Sequence, residues 1–246
     1  MTNDIKEWWD KQAKSYQELC QIPIDIHYGP GSPNEKHLKL LGSIKDKNIL
    51  EIGCGGAQCS IVFAKEGAKV TAIDISEEQL RFARALAEKN EVSIDFYQGD
   101  ATNLEQIESD SQHIVFSAFT FQFVDDLPKC FKAANRVLRK QGLFVFSLCH
   151  PFYRVVNPKT LKLQDSYFNT GKCVDNNTGS AFISYNHTIS ELHNALIESG
   201  FFVEQMLEPD SRKRYKDDPW YGLWDYYVPE LMDKMPPTII FKAIKM

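Results

Sequence analysis

Residues 48–76 read NILEIGCGGAQCSIVFAKEGAKVTAIDIS, and the fold follows from how this stretch divides. Residues 48–52 are a short apolar run, 53–56 a glycine turn, 60–65 a helix-compatible run, and 69–75 a second β-branched run with Asp74 near its end. Strand, turn, helix, strand is the unit from which parallel sheets are built. A glycine turn at a helix N-terminus lets backbone approach a ligand closely. An acid at the end of the next strand, roughly 20 residues on, suits the two hydroxyls of a ribose. The stretch points to an adenosine-type cofactor. A dinucleotide fingerprint wants a third glycine where Gln58 stands, and a phosphate loop wants Gly-Lys-Ser/Thr after its glycines, which is not there.

The 246 residues, 43% of them hydrophobic, suffice for one α/β domain or a domain with a small cap. A net charge of −5 without a basic run disfavours a nucleic-acid partner. No apolar signal core opens the chain and no run reaches membrane-spanning length, so a cytoplasmic protein without a membrane partner is expected. Cys20, Cys54, Cys59, Cys130, Cys149 and Cys173 form no C-x-x-C and no zinc spacing, so no metal is expected and the thiols read as reduced.

Upstream of the glycine stretch, residues 1–21 read as a helix with Trp8, Trp9, Ala13, Tyr16 and Leu19 on one irregular face, either packing on the domain edge or forming a lid. Residues 22–34 form a Pro/Gly-rich loop holding His27 and Tyr28, and 35–45 read as a short helix. Downstream, Ser76 caps a helix ending near Asn90, and 93–98 form a third strand followed by Gly99-Asp100-Ala101. Residues 113–119 are a fourth strand, Asp126-Leu127-Pro128 opens a helix, and 143–149 are a fifth strand. His150 follows at once. Open α/β sheets bind ligands outside the carboxyl ends of their strands, which is where Asp100 and His150 fall. A histidine there serves as a general base, orients a substrate, or makes a corner before Pro151. Residues 154–187 break the alternation, with runs at 161–168 and 181–187 expected to pair as a β-rich insertion roofing an acceptor pocket. A helix over 190–199, a strand over 201–207 and a closing strand over 238–244 complete the chain. Between them, Trp220, Tyr221, Trp224 and Tyr226 either pack on the core or line a pocket.

The segment Glu51-Ile52-Gly53-Cys54-Gly55-Gly56, with an acid two residues before the first glycine, resembles the first motif of the class I S-adenosylmethionine-dependent methyltransferases, in their type 11, small-molecule branch. The likeness extends over most of residues 45–150. It implies a three-layer Rossmann-like fold, a seven-stranded, mostly parallel sheet with its last strand antiparallel. On that reading residues 1–246 are one methyltransferase domain: an N-terminal helical lid (1–44), a cofactor-binding core (45–150), a cap insertion (151–187) and the C-terminal part of the sheet (188–246). The resemblance implies S-adenosyl-L-methionine as cofactor, S-adenosyl-L-homocysteine as product, and in-line displacement onto an O, N, S or C nucleophile of a small molecule. It assigns Gly53, Cys54 and Gly55 to the methionine moiety, with Tyr28 and His27 helping to cover that end. Glu51 braces the loop or meets the ammonium. Asp74 and Ile75 take the ribose side, Asp100 and Ala101 the adenine, and Ser117, Ala118 and Phe119 lie beside the sulfur. His150 is the first choice of base and His27 the second, while Gln122 stands where members often carry His. Glutamine also replaces the first glycine of the family's turn at Gln141. Three other readings stand beside this one: a non-catalytic S-adenosylmethionine-binding protein, an NAD-dependent oxidoreductase, and a tRNA or rRNA methyltransferase. The last is weakened because Ser117-Ala118-Phe119-Thr120 lacks the Asn/Asp-Pro-Pro-Tyr/Phe signature of amino-group nucleic-acid enzymes.

Overall fold

A computed structural model describes residues 3–175, 182–212 and 227–246. The elements in chain order are α1 (Asn3–Cys20), α2 (Glu35–Leu38), β1 (Asn48–Ile52), α3 (Gln58–Lys65), β2 (Lys69–Asp74), α4 (Glu77–Lys89), β3 (Asp95–Gln98) and β4 (Gln112–Ala118). A 3-10 turn (Phe121–Phe123) leads to α5 (Leu127–Val137), β5 (Leu138–Cys149) and α6 (Pro151–Arg154). Then come β6 (Gly171–Asp175), β7 (Phe182–Asn186), α7 (Ile189–Glu198), β8 (Phe201–Leu207), α8 (Pro229–Met232) and β9 (Thr238–Lys245).

Seven strands form one sheet in the order β3-β2-β1-β4-β5-β9-β8, and β6 and β7 form a separate antiparallel hairpin. Only β9 runs against the rest, lying between β5 and β8. The strand order reverses between β1 and β4, the switch point at which such sheets open a crevice. Strands buried on both faces read as continuous apolar runs, and NILEI is one. The alternation of β5 divides the core. Phe144 and Phe146 face the layer of α5 and α7, while Val145 faces that of α3 with Ile49, Phe63 and Phe116. Phe146 lies 4.9–5.2 Å, centroid to centroid, from the rings of Phe121, Phe131, Phe144 and Phe241.

Three expectations change. The helix expected over 35–45 stops after four residues, because Glu35 turns its carboxylate onto the N–H groups of Leu40 and Leu41 and Lys39 goes left-handed. The first strand of the insertion is 171–175, not 161–168. Leu163 and Phe168 are 73% and 80% exposed, and the side chain of Asn157 bends the chain by accepting from the N–H groups of Lys159 and Thr160. The fifth strand starts at Leu138 with a register shift, and Gln141 adopts φ 62° in the place the family gives to glycine. The residues Trp220, Tyr221, Trp224 and Tyr226 lie outside the described residues. Among the described residues no helix is long and apolar enough to cross a membrane.

The cluster around Phe146 makes a stability prediction. Phe146→Ala empties the meeting point of four rings and should cost ~3–5 kcal/mol in urea unfolding. A loss below about 1 kcal/mol would mean that this layer is not the main core.

Candidate functional site

The turn after β1 is fixed from three sides. The N–H groups of Gly53 and Cys54 both donate to the carbonyl of Ile73, at 2.7 and 3.1 Å. Gly53 has φ 68°, and a Cβ there would sit 2.1 Å from Oγ1 of Thr120, so glycine is required for conformation and for space. The Gly55 N–H donates to Oδ2 of Asp74 at 2.8 Å, and the Ser76 N–H donates to Oδ1 at 2.9 Å. Glu51 braces the other side, its Oε2 accepting from the backbone N–H of Ser60 at 2.9 Å and from the Ser60 hydroxyl. This carboxylate therefore sits inside the first turn of α3, where orphan N–H groups favour negative charge.

Both acids are out of water. Burial pushes the Glu51 carboxyl up to about 7, against the two bonds from Ser60. It pushes Asp74, 8% exposed, up to about 6, against backbone hydrogen bonds from Ser76, Gly55 and Ile75, with the charge of Asp10 adding to the rise. Asp74 makes no ion pair among the described residues. A buried carboxylate held by N–H groups alone keeps lone pairs for further donors.

Helix α1 lies across this edge. Asp10 Oδ1 accepts from the Ser76 hydroxyl at 2.7 Å, Gln17 Nε2 donates to Oε1 of Gln79 at 2.8 Å, and Gln58 Nε2 donates to Oε1 of Gln17 at 3.0 Å. The ring of Trp9 meets those of Tyr16 and Phe123 edge-on at 5.3 Å, tying the helix to the turn after β4. The helix expected over 1–21 is α1, and these are its contacts on the domain edge. Asp10, Gln17 and Thr120 carried no local sequence signal, since each acts on a segment distant in the chain; Gln79 reads in the sequence as part of a capping box with Ser76, but its side chain accepts from Gln17 instead.

The other expected residues divide between edge and core. Ser117, fully buried, donates its hydroxyl to the carbonyl of Ile52 at 2.8 Å and so ties β4 to the glycine turn. Phe119 has φ 59°, and its ring fills the space a Cβ of Gly29 would need. Ala118 is half-buried beside it. Asp100, half-buried, accepts from the N–H of Thr102 at 2.8 Å, while Ala101 joins the core. Ile75 is half-buried, and its carbonyl accepts from Gln98. The Cys54 thiol is buried and pushed up by that burial. Tyr28 is a core residue, its hydroxyl donating to Glu35 at 2.6 Å and its ring meeting Phe116. Burial holds the His27 imidazole down at about 4, so it is neutral near pH 7.

His150 stands after β5 with both ring nitrogens engaged. Nδ1 accepts from the N–H of Phe152 at 3.1 Å and caps α6, which fixes the proton on Nε2, 2.8 Å from Oε1 of Glu208. Burial lowers its proton affinity, against the pull of Glu208. A base needs a free lone pair, and here Nδ1 already uses its own. Among the described residues no group of three or more His, Cys, Asp or Glu is arranged to hold a metal. Surface clefts of about 550 and 380 Å³ lie elsewhere, beside Ile24, Lys36 and Val62 and beside Asp125, His187 and Glu191.

An adenosine-type cofactor fits this edge. The Cβ position of Gly55 meets nothing nearer than the amide ends of Gln17 and Gln79 at 3.9 Å, and Asp74 offers acceptors that make no ion pair among the described residues.

A family profile described as "Methyltransferase domain" matches residues 50–146. A Geobacillus sp. (strain WCH70) protein, a methyltransferase by name, is 30% identical over 198 residues, 80% of this chain and 72% of that one. A ubiquinone biosynthesis O-methyltransferase of Hydrogenovibrio crunogenus is 28% identical over 148 residues, 60% of this chain and 57% of its own length. The S-adenosylmethionine-dependent methyltransferase structure from Mesorhizobium loti superposes with a TM-score of 0.70 at 24% identity, covering 85% of this chain and 95% of that one.

The buried acids predict a pH dependence. In the folded state Glu51 holds its proton up to about 7, whereas the unfolded chain releases it near 4.5, so wild-type stability should fall as pH rises between those values. Asp74 adds a fall of the same sign between 3.8 and about 6. Glu51→Gln removes the first contribution and should be more stable than wild type at about pH 8, by at most ~3 kcal/mol. Urea unfolding across the range checks this; a glutamine variant weaker than wild type at high pH contradicts it.

Proposed function

The chain belongs to the class I S-adenosylmethionine-dependent methyltransferases, and from that premise we propose that its acceptor is a small-molecule nucleophile attacked in line with the methyl–sulfur bond. The observation that carries the reading is the buried Asp74 carboxylate, without an ion pair among the described residues, beside the open face of Gly55. Asp74 would accept from the ribose hydroxyls. Gly53 and Gly55 would let backbone run along the methionine moiety, with Glu51 bracing the turn from beneath. Asp100, after β3, would accept from the adenine amine, and Ser117, Ala118 and Phe119 would flank the sulfur. When bound, S-adenosyl-L-methionine supplies the activated methyl, and a sulfonium leaving group carries the driving force. The protein's part is alignment and exclusion of water, which α1 supports by closing over the edge through Asp10 and Gln17. In this reading His150 is a positioning residue that holds α6 and Glu208. The net charge of −5 favours a small acceptor over nucleic acid. Six cysteines, none in a disulfide, suit a reducing, cytoplasmic setting for one catalytic unit made of residues 1–246.

The test is a calorimetric titration with S-adenosyl-L-homocysteine, S-adenosyl-L-methionine and NAD. Wild type should bind the first two and not the third. Asp74→Ala should stay folded and lose affinity about 100-fold, the worth of two hydrogen bonds to a charged acceptor. Near-wild-type affinity in that variant sinks the assignment. NAD binding alone points to redox chemistry.

A further inference from the structure

Two buried amide oxygens lie on the seam between the turn after β4 and the hairpin. Among the described residues, Oε1 of Gln122 and Oδ1 of Asn186 accept no hydrogen bond. Their orientation is not ambiguous. Gln122 Nε2 donates to the carbonyl of Phe119 at 2.6 Å, and Asn186 Nδ2 to that of Asn169 at 3.4 Å. A carbonyl only accepts, so each NH2 group must face it and each oxygen must be the free end. Asn186 is 5% exposed and Gln122 half-buried, so neither oxygen is left to bulk water. A buried polar atom without a partner costs about 1–3 kcal/mol, and two on one seam call for a reason.

Their surroundings supply one. Gln122 follows the carboxyl end of β4, where the sulfur would lie. Asn186 ends β7, at the opposite end from Phe182, whose ring meets Phe123 at 5.6 Å and Trp8 of α1 at 4.9 Å. The next residue, His187, hydrogen-bonds the backbone of Val124, so the whole of β7 lies along the turn. Helix α1, turn and hairpin thus meet, with one neutral acceptor on the turn and another at the end of β7. The Nε1–H of Trp8 is buried and likewise without a partner among the described residues.

We propose that this seam is the acceptor site and that it takes a small primary or secondary amine, held by the oxygens of Gln122 and Asn186. The inference rests on the methyl-transfer reading above. Amide oxygens accept from N–H groups, and aromatic faces attract a cation. The reaction moves charge in the direction this lining favours. The nitrogen lone pair forms the new N–C bond, the methyl–sulfur pair stays with sulfur, and the positive charge passes from sulfur to nitrogen. The surplus proton then leaves the product ammonium for solvent. Oriented acceptors stabilise charge where it develops. An amine bound as its ammonium first releases one proton to solvent; the neutral amine so formed needs no side-chain base at the moment of attack, in keeping with a His150 whose two nitrogens are already engaged. The indole N–H of Trp8 would answer an acceptor atom elsewhere on the same ligand.

The experiment uses benzylamine and benzyl alcohol as matched probes, titrated by NMR into the full chain with and without saturating S-adenosyl-L-homocysteine. Benzylamine should bind about tenfold more tightly than the alcohol, the worth of one good hydrogen bond to a charged donor. Gln122→Met and Asn186→Leu should each weaken the amine about tenfold and leave S-adenosyl-L-homocysteine affinity unchanged. If the apolar variants do not fold, the comparison of the two probes on wild type decides the matter. Equal binding of the two probes, or apolar variants that fold and keep wild-type amine affinity, overturns the proposal. Failure of wild type to bind S-adenosyl-L-homocysteine overturns the methyl-transfer reading instead, and the probe comparison without it still reports on the seam.

Discussion

Asp74 stands at the end of β2 with one oxygen on the Gly55 N–H and the other on the Ser76 N–H. One carboxylate thereby fixes the glycine turn after β1 and the entry to α4. Ser76 carries the constraint outward, since its hydroxyl accepts from the Gln79 N–H as helix cap and donates to Asp10 of the lid. Removing this carboxylate would leave the N–H groups of Gly55 and Ser76 without their acceptor, yet keeping it ionised out of water is costly. The raised proton affinity of Asp74 expresses that tension. Strain of this kind is tolerated where a ligand relieves it.

Glu51 shows the same logic one strand over. It is buried on β1 directly opposite Ala72 of β2 and Phe116 of β4, with Ser60 as its partner. The two acids hold the glycine turn between them, one from β1 through Ser60 of α3 and one from β2. Thr120 completes the enclosure, its hydroxyl facing the carbonyls of Ile52 and Gly53 at 3.3 Å. The turn is rigid before any ligand arrives, and pre-organisation of this kind lowers the ordering cost of binding.

The acceptor side is built differently. There the lid, the 3-10 turn and the hairpin meet through ring edges, Trp9 on Phe123 and Phe182 on Trp8, instead of through backbone hydrogen bonds. Contacts of that kind adapt to a ligand more readily than a hydrogen-bonded turn. The rigid half of the edge thus suits a fixed cofactor and the packed half a variable acceptor. His150 belongs to neither half: it caps α6 and reaches Glu208 past the start of β9.

The strand–glycine–helix–strand unit was legible in the sequence because turn chemistry and apolar periodicity are properties of neighbouring residues. The same holds for Asp74 at a strand end and for the helix caps at Ser76 and Asp126, whereas the strand order came only with the structure. The helix expected over 35–45 and the strand expected over 161–168 give way because Glu35 and Asn157 use their side chains to bend the backbone, which periodicity does not register. The burial of Tyr28 in the core could not be read from a loop sequence. Only the tertiary structure decided that Asp10 meets Ser76, that Gln17 meets Gln79, and that His150 meets Glu208, pairs separated by 66, 62 and 58 residues. Such pairs leave no periodic trace, because they depend on where whole elements dock and not on what either segment prefers alone.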